Sequence, residues 1–137
     1  MASRYTKLQS WLHWGMAPAL TGSILCVLKA QQYDWKTSGE QKGLWMFRHK
    51  SLGLLTGMLV VPRIWVKMTS PAVAALAGDT AQLQMAARLS HGSLYAFMIM
   101  MSATGIGMGL FSGKGLPFFV TTIPSGPVPT VPAIAGV

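Results

Sequence analysis

Three histidines are the residues of this chain best suited to chemistry: His13, His49 and His91, each set near the start of a long apolar segment. An ionisable side chain in such surroundings is costly to keep, which makes each one a functional-site candidate. The bland alternative for any single one is an interfacial hydrogen-bonding residue; all three at segment starts is the stronger pattern. Imidazole nitrogens are strong ligands for iron and zinc. A protein zinc site wants several converging donors, usually with thiolate or carboxylate help. Asp34, Glu40 and Asp79 all fall between the apolar segments, and the lone thiol, Cys26, lies within one as a small packing residue. A dedicated zinc site is therefore not expected.

The elements that must position these imidazoles belong to a membrane. Of the 137 residues, 51% are hydrophobic and only 10% charged, and mean hydropathy is +0.43. A soluble domain is about a quarter charged. The net charge of +8 is spread over the ends of the apolar segments, where Lys and Arg reach headgroup phosphates while their stems stay in oil. With no basic helix and no stacking platform, nucleic-acid binding is not expected. A single cysteine leaves the redox compartment unread, and the cations on the two sides are too evenly divided to set an orientation.

About 20 mostly apolar residues cross the hydrocarbon layer. Three stretches qualify, at about 8–28, 44–66 and 85–111, and together they make a three-helix transmembrane domain over residues 1–116. Backbone groups in lipid must be satisfied internally, so the spans are expected to be helices. Between them lie the polar loop "KAQQYDWKTSGEQKG" and the Pro71-containing loop "KMTSPAVAALAGDTAQLQ", the second with room for a short interfacial helix. Residues 117–137 are expected to form a proline-rich extended tail. Small residues recur every three or four positions: Gly15, Ala19, Gly22, Ser23 and Cys26, then Gly53 and Gly57, then Gly105 and Gly109. Such stripes let helices approach closely; a glycine four residues from a histidine also leaves room for a flat macrocycle. Trp11, Trp14, Trp45 and Trp65 mark the span ends.

Alternating spans place His13 and His91 at one leaflet and His49 at the other, too far apart for two helical turns to join them. A haem iron needs only axial imidazoles, because the porphyrin supplies its remaining nitrogens. His13 and His91 could share one iron, and His49 would then lack a partner within the chain. The methionines of the spans, Met98, Met100, Met101 and Met108 among them, are read as packing residues. No nucleophile stands beside a base and no glycine loop suits a phosphate, so an independent catalyst is not expected.

The segment "RYTKLQSWLHW" resembles the opening of the bacterial-type cytochrome b561 family, with its histidine-tryptophan pair at the start of helix one. "HKSLGLLTGMLVVPRIWVKMTSP" looks like that family's second helix, and "ARLSHGSLYAFMIMMSATGIGMG" is similar to its third. "GKGLPFFVTTIPSG" resembles the loop that follows. The resemblance implies a four-helix membrane cytochrome in which two b haems, stacked across the bilayer, exchange electrons with quinone. It carries His13 and His49 over as the axial ligands supplied by helices one and two. His91 falls on the helix-three position, which is not generally a ligand. Helix four supplies the remaining ligands in that family, and this chain is read as lacking it.

Three outcomes follow from the resemblance: His13 and His91 form a new pair, a neighbouring subunit supplies the absent ligands, or haem is gone and the bundle persists. Arg63, at the level of His13 and His91, is a candidate for a haem propionate or for lipid phosphates, and Tyr95, on the face of His91, for a histidine or a propionate. The expected function is an electron-transfer subunit of a respiratory or photosynthetic membrane assembly, in an organelle inner, thylakoid or bacterial inner membrane. Its expected partners are other membrane subunits, lipids and quinone. The competing expectation is a haem-free accessory subunit that packs against neighbouring subunits, lipids or pigments.

Overall fold

The computed structural model of the chain describes residues 5–71, 77–112, 115–119 and 121–124. Among these residues the order is α1 (Lys7–Gln31), α2 (Trp35–Thr69), α3 (Ala81–Phe111), β1 (Leu116–Phe118) and β2 (Thr121–Ile123). All three helices are long and apolar enough to cross a membrane. The chain is a helical integral membrane protein of the all-α class, as its apolar runs predict, with one short hairpin after α3.

Local capping explains where the helices begin. Thr6 opens α1 with a reciprocal pair: its backbone N–H donates to Gln9 Oε1 at 2.8 Å, and the Gln9 N–H donates to Thr6 Oγ1 at 3.2 Å. The Asp34 carboxylate accepts from the Lys36 N–H at 3.0 Å. Thr80 Oγ1 accepts from the Leu83 N–H at 3.3 Å.

The helices extend past the expected spans, and most of the expected polar loop before Leu44 is helical, with a break at Ser38 (φ −142°, ψ 39°). The reason is that hydropathy marks only the part of a helix inside hydrocarbon. In the polar first turns of α2, Lys42 donates to the Tyr33 carbonyl at 2.9 Å and lies over the Trp35 ring. Residues 72–76, the core of the expected interfacial helix, lie outside the described residues.

The tightest packing joins α1 and α2. Met16, Ala19, Ser23, Cys26 and Ala30 of α1 are buried, as are Ser51, Thr56 and Val60 of α2, and Gly22 meets Leu52 while Gly53 meets Ser23 across the seam. These are mostly small side chains, so the helix backbones come close, the usual route to association where burial from water gives no drive. By contrast, α3 buries no residue. Of the other two helices it leans on α2 alone, and its end meets β1; the approach to α2 is tight at Gly57, where an added Cβ would come 3.0 Å from Ser102 Cβ. Among the described residues α1 and α3 do not approach each other. Trp11, Trp14 and Trp65 are exposed, as an aromatic belt requires.

Past α3 the chain returns as a hairpin, with Leu116 opposite Ile123 and Phe118 opposite Thr121. Gly115 enters it at φ +74°, and a Cβ there would meet the Ile123 carbonyl oxygen at 2.5 Å, so glycine is required. The fully buried Ser51 hydroxyl anchors the hairpin to α2: it donates to the Pro117 carbonyl at 3.4 Å and accepts from the Phe119 N–H at 3.0 Å. The start of the expected extended tail is therefore paired strand; residues 125–137 lie outside the described residues. Ser51→Ala is expected to strand the Phe119 amide at a cost of about 1 kcal/mol, seen as faster hydrogen exchange of that amide while α1 and α2 keep their protection.

Candidate axial-ligand sites

His49 sits on the seam between α1 and α2, and Ser23 grips it from α1. Its Nδ1 lies 2.8 Å from the Ser23 carbonyl oxygen and 2.9 Å from Ser23 Oγ, while that hydroxyl donates to the His49 carbonyl at 3.1 Å. A carbonyl oxygen only accepts, so Nδ1 carries the ring proton. Nε2 is left with its lone pair. An imidazole whose Nδ1–H is held by a backbone carbonyl and whose Nε2 is unprotonated is set up to bind a metal. Ser23 is buried and His49 half-buried, so the tautomer is fixed away from bulk water. The glycine one turn on, Gly53, has Ser23 Oγ 3.7 Å from where its Cβ would stand. Its smallness serves the approach of α1, leaving the macrocycle role assigned to it by spacing without support.

His13 presents the opposite face. Its Nδ1 is 3.0 Å from an Arg63 Nη, and the Arg63 Nε–H donates to Tyr95 Oη, also at 3.0 Å. A guanidinium has donors and no acceptor, so His13 Nδ1 accepts and the proton of the neutral ring is on Nε2. Arg63 thus ties all three helices together at this leaflet. Lys67 lies over the same tyrosine ring at 4.5 Å. Tyr95 meets neither a histidine nor open lipid with its hydroxyl; it serves the arginine.

His91 is exposed and turns back on its own helix, its Nδ1–H donating to the Ala87 carbonyl at 2.7 Å. The structure does not bring it to His13, because the helices that carry them stay apart. An iron shared by these two has no support in this arrangement. Along the axes, Ser23 is about 15 Å from His13 and Arg63 about 21 Å from His49, at about 1.5 Å per residue. The expected depths are thus those observed: His13 joins Arg63 at one level and His49 joins Ser23 at the other. Among the described residues no three His, Cys, Asp or Glu side chains converge.

Sequence reasoning saw Ser23 only as a small residue in a packing stripe. What could have found it is the reflection of α2 onto α1: the pairs Ser23 with His49 and His13 with Arg63 are nearly symmetric about one point, near residue 37. Ser23→Ala keeps the carbonyl that holds Nδ1 and removes the hydroxyl on the His49 carbonyl. The expected loss is about 1 kcal/mol of stability, checked by thermal unfolding in detergent, with the Nδ1–H tautomer of His49 unchanged in nitrogen-15 spectra.

The family described as prokaryotic cytochrome b561 matches residues 4–134. No curated protein matches the chain.

Proposed function

The chain belongs to the prokaryotic cytochrome b561 family, the integral membrane b-type cytochromes, and from that premise we propose that it holds b haem through His49 and carries electrons within a membrane assembly. The observation that carries this reading is the His49 clasp, in which the Nδ1–H is committed to the Ser23 carbonyl and Nε2 keeps its lone pair. Bound there, b haem supplies one-electron exchange between ferric and ferrous iron.

The residues of the chain do the holding. Ser23 fixes the ring tautomer and orientation, which raises the basicity of the ligand nitrogen. The α1–α2 seam keeps water away from the clasp. Arg63, whose hydrogen-bond partners His13 and Tyr95 are both neutral acceptors, is the group suited to a propionate at the other leaflet. His13 is the axial candidate at that level. A neighbouring subunit or a further segment would supply any ligand that these helices do not, and a membrane quinone is the redox partner that the family resemblance implies. The exposed faces of α3 suit a neighbouring subunit or lipid.

One observation favours the second reading, a haem-free accessory subunit: the His13–Arg63–Tyr95 tie joins the three helices through their own side chains. Reduced-minus-oxidised spectra of the protein isolated with its natural membrane partners separate the two. A b-type α band with haem extractable in proportion to the chain is expected. A complex with no such band leaves the accessory role.

A further inference from the structure

The three histidines begin their spans in similar settings, yet their rings are held in two different ways. His49 and His91 both donate Nδ1–H to a backbone carbonyl, at 2.8 and 2.7 Å. His13 alone has a cation on Nδ1, the Arg63 guanidinium at 3.0 Å. Its Nε2 therefore bears the proton and has no lone pair to offer a metal. The guanidinium is held by two neutral acceptors, the His13 ring and the Tyr95 hydroxyl, whereas a carboxylate brings it an opposite charge and two oxygens that match its fork of donors. A carboxylate that reaches this site outcompetes an imidazole nitrogen for the same donor.

We infer that Arg63 is a latch on His13: it holds the ring in the tautomer that cannot bind a metal through Nε2, and an amphiphilic carboxylate at the guanidinium releases it. Release moves the ring proton from Nε2 to Nδ1 through interfacial water with no net gain or loss. The freed Nδ1–H then has the Gln9 carbonyl four residues back, the acceptor equivalent to the one His91 already uses. The latch itself needs no haem. Its consequence for loading rests on the proposed function: the His49 site is ready beforehand, whereas the His13 site opens only to a ligand that brings its own carboxylate.

Nitrogen-15 spectra of histidine-labelled protein in a neutral detergent test the latch directly. In the wild type His13 is expected as the Nε2–H tautomer, with His49 and His91 as Nδ1–H. Added laurate, used as the carboxylate probe, is expected to convert His13 to Nδ1–H, while a phosphate amphiphile, dodecyl phosphate, reports whether a headgroup phosphate does the same. Arg63→Leu is expected to show the released pattern without laurate and no response to it. His13 found as Nδ1–H in the untreated wild type, or unmoved by laurate, overturns the latch.

A haem arm tests the consequence. In a His49→Ala background, haem is expected to bind at least ten times more tightly than its dimethyl ester, which has no free carboxylate. The difference is expected to vanish when Arg63→Leu is added. Equal binding of haem and ester with Arg63 present overturns the loading order. Failure of every His49→Ala form to take up haem overturns that loading consequence alone; the cytochrome reading through His49 is decided by the spectrum of the wild type, and the latch by the tautomer measurement.

Discussion

His49→Ala is expected to lower haem affinity by more than about 100-fold and to abolish the b-type band of its site. Losing a group that merely orients a metal ligand costs about 10–100-fold, and here the ligand itself is removed. Alanine leaves a helix former on α2, and the Ser23 hydroxyl still reaches the carbonyl of residue 49, so the α1–α2 seam is expected to survive. Far-ultraviolet circular dichroism should show unchanged helix content beside the lost spectrum. His91→Ala is the matched control. Its ring bonds only its own helix and is exposed, so the spectrum should stay as in the wild type. A band that persists in His49→Ala and disappears in His91→Ala would reverse the assignment of the ligand.

Gly57→Leu is expected to have the largest structural effect, because it strikes a tight approach of α3 to α2. A Cβ there already stands 3.0 Å from Ser102 Cβ and 3.1 Å from its hydroxyl, and the rest of a leucine side chain has nowhere to go but between the helices. Overpacking of this kind costs about 1–3 kcal/mol. No buried side chain of α3 resists the displacement, so the helix should swing away and take Tyr95 off Arg63. Spin labels on the lipid-facing sides of α2 and α3 should report a longer distance, and thermal unfolding in detergent should come at a lower temperature. Gly57→Ala asks Ser102 to yield by only a few tenths of an ångström and is expected to be far milder. An unchanged distance in the leucine variant would mean that the α2–α3 contact is not set at this glycine.

The amino-acid sequence by itself determined the membrane, the number of spans among the described residues, and the depth of each imidazole. These follow from one-dimensional quantities: the length of an apolar run against the thickness of hydrocarbon, and the reversal of direction at each crossing. The family was legible as well, because the motifs around His13, His49 and His91 are local. The helix ends were not, since polar turns of α2 continue as helix beyond the oil, where hydropathy says nothing about conformation.

Which nitrogen of each histidine is free was decided by the tertiary structure alone. It depends on a carbonyl 26 residues away for His49 and on a guanidinium 50 residues away for His13. The same holds for the separation of α1 from α3, which parts His13 from His91. A tautomer answers to the atom facing the ring within about 3 Å, and spacing along the chain cannot say whether that atom donates or accepts.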